Sequence, residues 1–555
     1  MHKTPDVIII GYNEVPFQEY LSTLSHYGEE SEAYRDLRMN YFDMGDHVLT
    51  YIDLLNRVSG GSFYSCDIPN LAAVYLSNYL KKREISCDFI NLFQLEKDQL
   101  SFWLRENPLC VAITTTFYVT NQPVREIVKF IRKCNAKVPI IVGGVLVANH
   151  FNTYSQDEFL YVLEDMGADM YVVESQGEET LYNLVTALKE KKDLCSVKNL
   201  VHYDKNRNLV VNERKLENNS IDEEAINWTY FQDYDFGNTL QTRTARSCAF
   251  ACAFCGYPER GGPLVSAKID TVERELETMK KLSGVQNVVF IDDTFNVPKG
   301  RFRQFCEMLI GKQFNFKWFS YYRCDHGDEE TIELMRRSGC TGVFLGIESG
   351  SQFMLEQMNK RAKITNYQNG IRHLKENGIL TFASFITGFP GETDDTVKET
   401  LNFIHENKPD YWRAMLWYCD PLTPVYKTKR EEFGIKGMGF KWKHYTMDSM
   451  QATEHIYDLF GNVSPDDSIY MPQYSFDFWI IPYLLGKGIS LPKFKKFMYR
   501  AHQALLAELR ETNKQLRILR REQIFEKMKD EFAGENNKNL GSDFNYTAHS
   551  SNNLN

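Results

Sequence analysis

A short unbroken apolar run that stops at a glycine or a polar turn recurs along this chain of 555 residues. Stretches with helical spacing fill the intervals. The first run is Asp6-Val-Ile-Ile-Ile-Gly11. Runs of this kind are strands covered on both faces, and parallel sheets need such strands. Others lie at 87–91, 110–114, 139–144 and 169–173. Between them a helix follows Pro69-Asn70, with Leu71, Val74, Tyr75 and Tyr79 on one face. Further helices cover 123–134 and the stretch from Glu178 to about Lys189. Strand and helix in alternation predict an α/β chain that opens with a doubly wound, Rossmann-like sheet. Ligands of such sheets sit beyond the carboxyl ends of the strands. No G-x-G-x-x-G is present to suggest a dinucleotide. Residues 14–66 carry no clear pattern.

The rhythm resumes after residue 240. Strands at 240–245, 287–291, 317–322, 342–347, 380–386 and 411–417 alternate with helices. Six such units predict a partial (β/α)6 barrel with its site at the strand ends. The residues there include Asp292, Asp293, Arg323, Glu348 and Gly388. Asp292 and Asp293 suit a metal or base pair, or a helix cap. Arg323 suits a two-pronged pair with a carboxylate or a strand-end salt bridge. The expected boundaries are a first domain at 1–190, a connector with a small hairpin at 191–239, and the barrel at 240–420. A small α-rich C-terminal domain at 421–532 and a disordered Asn- and Ser-rich tail at 533–555 follow. The helical stretch 491–530 is basic and reads as solvated.

At the entrance to the barrel stands Arg246-Ser-Cys248-Ala-Phe-Ala-Cys252-Ala-Phe-Cys255-Gly-Tyr257. Thiolates at C-x3-C-x2-C let one short loop wrap one face of an iron–sulfur cluster. The next cysteine is Cys306, so a closed four-thiolate site is not offered locally. Three ligands on a cubane leave one iron open. The competing reading is a zinc loop completed from elsewhere.

Composition excludes other classes. Hydrophobic residues make up 43% and charged residues 25%, values of a folded globular protein. The net charge of -10 offers no surface for nucleic acid. No apolar run reaches the roughly 18 residues of a membrane span. The opening Met-His-Lys-Thr-Pro-Asp runs straight into a strand, which does not read as a secretory signal. Twelve cysteines, mostly scattered singly, fit a reducing cytoplasm.

With its flanking Phe254 and Gly256, the three-cysteine loop resembles the cluster motif of radical S-adenosylmethionine (radical SAM) enzymes. The first domain resembles the cobalamin-binding domain found upstream of many of them. The matching pieces are Ile68-Pro-Asn-Leu71, Thr114-Thr115-Thr116, Val142-Gly143-Gly144 and Gly177-Glu178. The resemblance implies a 4Fe-4S cluster on Cys248, Cys252 and Cys255, with S-adenosylmethionine on the open iron. It implies contacts from Asp293 and Glu348 to that cofactor, with Gly388 letting the chain approach its adenosyl group. Gly143, Gly144, Gly177 and Glu178 would approach the corrin and its tail. No D-x-H-x-x-G is present, so no histidine is offered to cobalt. Thr387-Gly-Phe-Pro-Gly-Glu-Thr393 matches the fifth-strand signature of cobalamin-linked members, with Thr393 as a cap. Trp442-x-His-x-x-Met-Asp448 resembles the P-methyltransferases of phosphinate natural products. The implied activity is methylation of an unactivated carbon or a phosphinate phosphorus of a small metabolite. A flavodoxin- or ferredoxin-type one-electron reductant is implied as partner, and no nucleic acid or membrane. A cyclase or rearrangement enzyme without methyl transfer, or a non-catalytic iron–sulfur protein, are the alternatives.

Overall fold

The structure is a computed structural model. It describes residues 4–25, 28, 31–64, 67–474 and 477–533. The expected tail at 533–555 lies, but for its first residue, outside the described residues.

Two seven-stranded sheets organise the chain. In the first, the order is Cys87–Leu92, Val7–Tyr12, Cys110–Thr114, Ile140–Gly143 and Met170–Val172, all parallel. Val7, Ile8, Ile9 and Ile10 have no exposed surface, because both faces of their strand are covered. The hairpin Leu200–Tyr203 and Leu209–Val211, expected in a free connector, instead extends this sheet antiparallel. Its strands are short and alternate weakly, so the sequence alone did not show which edge they would pair with.

The second sheet runs Thr239–Thr242, Asn287–Phe290, Lys317–Tyr322, Cys340–Glu348, Leu380–Thr387 and Tyr411–Leu416, parallel throughout. A seventh short parallel strand, Ile469–Tyr470, comes from the C-terminal segment and pairs with Tyr411 and Trp412. Two residues are too short a run to read as a strand from sequence. Thr393 caps the helix Asp394–Asn407 with a full capping box.

The patternless stretch after the first strand is folded. Its helix Tyr51–Ser59 buries Tyr51, Leu54 and Leu55. The C-terminal helices Leu491–Arg510 and Lys514–Ala533 are not solvated as their charge suggested. They bury Phe494, Phe497, Leu505, Phe525 and Met528 in the main core. Charges cancel inside the protein: Glu508 and Arg521 are each 1% exposed and paired, and Arg38 joins Glu508 from the N-terminal segment. Among the described residues no helix is long and apolar enough to cross a membrane.

Candidate functional site

The carboxyl edges of the two sheets meet at the strand that leads into the cysteine loop. Gln241 donates to the carbonyl of Pro69 at 2.9 Å. The Arg243 guanidinium lies over the Tyr75 ring at 4.3 Å and reaches Glu178 at 3.6 Å. Arg246 donates to Gln176 and to the carbonyl of Asn219. Loops 68–70 and 176–178 of the first sheet thus rest on residues 241–246 of the barrel.

The cysteine loop is held on every side. Ser247, with φ of +69°, turns the chain, and its N–H bonds to the Tyr257 hydroxyl at 3.2 Å. Ala253 donates to the Met358 carbonyl at 2.8 Å and accepts from Val425 N–H at 2.9 Å. Asn359 donates to the Ala251 carbonyl at 2.6 Å. The Tyr257 N–H points at the Cys255 sulfur at 3.4 Å. Burial raises the thiols of Cys252 and Cys255, the latter to about 11. Among the described residues no three His, Cys, Asp or Glu side chains converge to hold one metal ion. A single zinc needs such convergence, whereas a cubane places each thiolate on its own iron. Three thiolates on one short loop supply the donor set of a cluster with one open iron.

Asp292 and Asp293 separate in role. Asp292 is buried and accepts from the N–H groups of Thr244 and Ala245 at 2.7 and 2.9 Å. It fixes the entry to the cysteine loop. Neither aspartate caps the next helix, whose N-cap is Pro298. Asp293 is open to solvent, yet protein crowds it enough that burial, with the Asp292 charge second, lifts its carboxyl to about 7. Both properties belong to a side chain on the wall of an internal recess. Its field reaches the Cys255 thiol.

Glu348, at φ of +68°, is buried and bonds Lys360 at 2.7 Å. Arg323 does form a two-pronged pair, with Asp325 at 3.1 and 2.8 Å. It also donates to the Lys360 carbonyl and covers the Phe250 ring at 3.8 Å. Arg323 therefore braces the cysteine loop against the loop that carries Lys360. Lys360, Arg243 and Arg246 were not anticipated. Lys360 sits in an irregular loop with no periodicity to mark it.

Gly388 differs from expectation. A Cβ there would lie 2.5 Å from the Trp442 ring and 2.7 Å from Ala452. Its absence makes room for Trp442 rather than for a ligand. His444 stacks on Trp442 and bonds the Gly388 carbonyl at 3.0 Å, and Asp448 caps the next helix. The Trp-x-His-x-x-Met-Asp segment is a latch on the fifth-strand loop.

At the first sheet, Gly144 has φ of +109°, and a Cβ there would meet the Thr115 hydroxyl at 3.0 Å. Thr115 donates to the Gly143 carbonyl at 2.9 Å and accepts from Leu146 N–H. These bonds hold the two strand-end loops flush. Gly177, at φ of +75°, opens the helix Glu178–Glu190. The Glu178 carboxylate is buried against Asn219 and Arg243, and burial raises it, so it joins the two sheets. Phe117 is 48% exposed beside Trp479, and Tyr418 is 55% exposed. Strand ends lined by backbone, with the exposed Phe117 ring following Thr115, suit a flat macrocycle.

The model of the Radical SAM superfamily matches residues 242–404, and that of the B12 binding domain matches residues 63–185. An anaerobic magnesium-protoporphyrin IX monomethyl ester cyclase of Rubrivivax gelatinosus is 24% identical over 411 residues, 70% of this chain and 71% of its own. An uncharacterized methyltransferase of Pyrococcus horikoshii is 25% identical over 342 residues, 60% of this chain and 71% of its own. Among solved structures, the radical S-adenosylmethionine methyltransferase TsrM from Kitasatospora setae, with cobalamin and a 4Fe-4S cluster bound, superposes with a TM-score of 0.60. That match has 17% identity and covers 84% of this chain and 97% of the other.

Proposed function

We propose, from the premise that this chain is a radical SAM enzyme with a B12 binding domain, that it is a methyltransferase. Its cofactors are a 4Fe-4S cluster, S-adenosylmethionine and cobalamin. Bound together they supply a 5′-deoxyadenosyl radical and a transferable methyl group. The protein supplies ligation, orientation and exclusion of water.

Each role falls to named residues. Cys248, Cys252 and Cys255 ligate the cluster. Glu348, set by Lys360, and Asp293, on the recess wall, take the polar groups of S-adenosylmethionine. Gly143, Gly144 and Thr115 shape the floor under the corrin. The substrate is a small metabolite, methylated at an unactivated carbon or a phosphinate phosphorus. Electrons come from a flavodoxin- or ferredoxin-type reductant.

The observation that carries this reading is the joint between the two sheets. Arg243 and Gln241 stand directly before the cysteine loop and hold the ligand-side loops of the first sheet. A methyl carrier and a radical source would then face one recess. The cyclase reading is favoured by the Rubrivivax relative and keeps the same cofactors.

Product mass decides. The reconstituted enzyme, a one-electron reductant and trideuteromethyl-labelled S-adenosylmethionine are incubated with H-phosphinates and other small metabolites. A product carrying the intact labelled methyl is expected. A rearranged or cyclised product without label would transfer the assignment to the cyclase reading.

A further inference from the structure

The inner face of the barrel holds polar groups that nothing above uses. Strand register sets Ser384 beside Arg413, and Gly346 beside Ser384. Tyr321 lies on the same face, its ring 5.1 Å from that of Phe344. The Arg413 guanidinium lies over Phe344 and Phe382 at 5.0 and 5.3 Å. Phe478 closes the lumen against Phe319, Tyr321, Phe344 and Phe382.

Two of these groups are unsatisfied. Arg413 is 6% exposed and Ser384 is 2% exposed. Arg413 gives one N–H to Asp477 at 3.1 Å, but its Nε has no partner among the described residues. The Ser384 hydroxyl has none either. Buried polar groups without partners cost free energy, and native structures leave few of them. An arginine in an apolar aromatic frame with a free edge is a costly arrangement unless something binds there. The charges of Asp477, Arg413 and Asp293 are all felt at the Tyr321 phenol.

We infer that Arg413, Ser384 and Tyr321 form an anchoring subsite for an oxyanion of the substrate, a carboxylate or a phosphinate, in the barrel lumen. This rests on the reading of that lumen as the reaction chamber, and narrows the substrate to acids. The three groups all donate, which suits an acceptor-only ligand. Asp477 holds one edge of the guanidinium and so aims its remaining N–H groups, a positioning role. Asp477 and Asp293 also set a limit. The lumen carries no large positive field, so the ligand is selected by placed hydrogen bonds. Arg413 and Tyr321 lie on strands rather than loops, so the anchor is rigid relative to the cysteine loop. A fixed anchor sets which substrate atom faces the radical source.

The test uses the reconstituted holoenzyme and calorimetric titration with three probes: phenylphosphinate, phenylacetate and the neutral phenylacetamide. One or both acids are expected to bind and the amide not. Preference between the acids identifies the kind of oxyanion. Arg413→Gln should weaken acid binding roughly tenfold to a hundredfold, the effect of one charge-assisted pair. Arg413→Lys should restore only part of it, because the ammonium lacks the fork. Ser384→Ala, a change too small to threaten the fold, should weaken it by a smaller factor. Iron and cobalamin content of each variant checks integrity. The inference is overturned if wild type binds neither acid at millimolar probe, binds the amide equally well, or loses nothing in Arg413→Gln and Ser384→Ala. Because binding is read without turnover, failure of methyl transfer leaves this result untouched.

Discussion

The carboxyl edges of the two sheets solve one problem in different ways. The edge of the first sheet is made of backbone. Gly143, Gly144 and Gly177 carry it, two of them at positive φ, and its buried carboxylates Glu174 and Glu178 are turned to Arg214 and Arg243. The edge of the barrel is made of charge. Glu348 is paired with Lys360, Arg323 with Asp325, and Asp292 holds two backbone N–H groups. On the proposed reading, the difference follows from what each would hold. A large flat ring is recognised by shape, and removal of Cβ atoms provides it. A small zwitterion is recognised by placed charges, which are effective only when their own geometry is fixed.

The largest effect should come from the cysteine loop. Cys252→Ala is expected to abolish both cluster assembly and 5′-deoxyadenosine formation, while leaving hydroxocobalamin binding in place. Iron and sulfide counts after anaerobic reconstitution check it. Continued cleavage of S-adenosylmethionine by this variant would refute the cluster assignment.

Next comes the charged edge. Glu348→Gln should raise the S-adenosylmethionine dissociation constant roughly tenfold to a hundredfold and leave cobalamin binding alone. The change also strands Lys360, which is itself only 6% exposed. The double variant Glu348→Gln with Lys360→Met removes both charges and separates the two effects. Affinity restored in the double variant would show that the glutamate serves only its lysine.

A smaller effect is expected at the backbone edge. Gly144→Ala places a side chain at φ of +109° and against Thr115, with strain of order 1–3 kcal/mol. Hydroxocobalamin titration should show weaker binding, with S-adenosylmethionine affinity unchanged. Loss of both together would mean that the two edges are not independent.

How much of this was legible in the sequence depended on the kind of signal. Strands such as Val7–Tyr12 and Leu380–Thr387 are continuous apolar runs, and their burial forces a parallel sheet. The three cysteines are a local pattern and are held in one loop. The Trp442 segment was legible as a motif but not as a contact. Its ring fills the place of the missing Cβ of Gly388, and only the tertiary fold brings 388 and 442 together. The C-terminal helices misled because composition counts charges without their partners. Arg521 and Glu508 are charged in the sequence and buried as a pair in the fold. Arg413 gave no signal at all, being one residue in a strand.

A further carboxyl on the barrel edge stands, like Asp293, outside the paired charges, and it gives the smallest and most specific prediction. Glu392 is 2% exposed and accepts from the N–H of Gly388. Among the described residues no cation pairs with it, and burial lifts its acid to about 8. At neutral pH the group is therefore mostly protonated. Its folded value lies above the unfolded one near 4.5. Stability from the neutral acid is fully present below that value and is lost as pH rises through about 8. Glu392→Gln keeps an oxygen for the Gly388 N–H and cannot ionise. The variant should gain on wild type by about 1.4 kcal/mol for each pH unit between about 4.5 and 8, and the gap should stop widening above about 8, where both states are ionised. Thermal unfolding of both proteins between pH 6 and 9 measures the gap. A gap that stays constant with pH would mean that Glu392 is ionised in the fold and stabilised there by a cation.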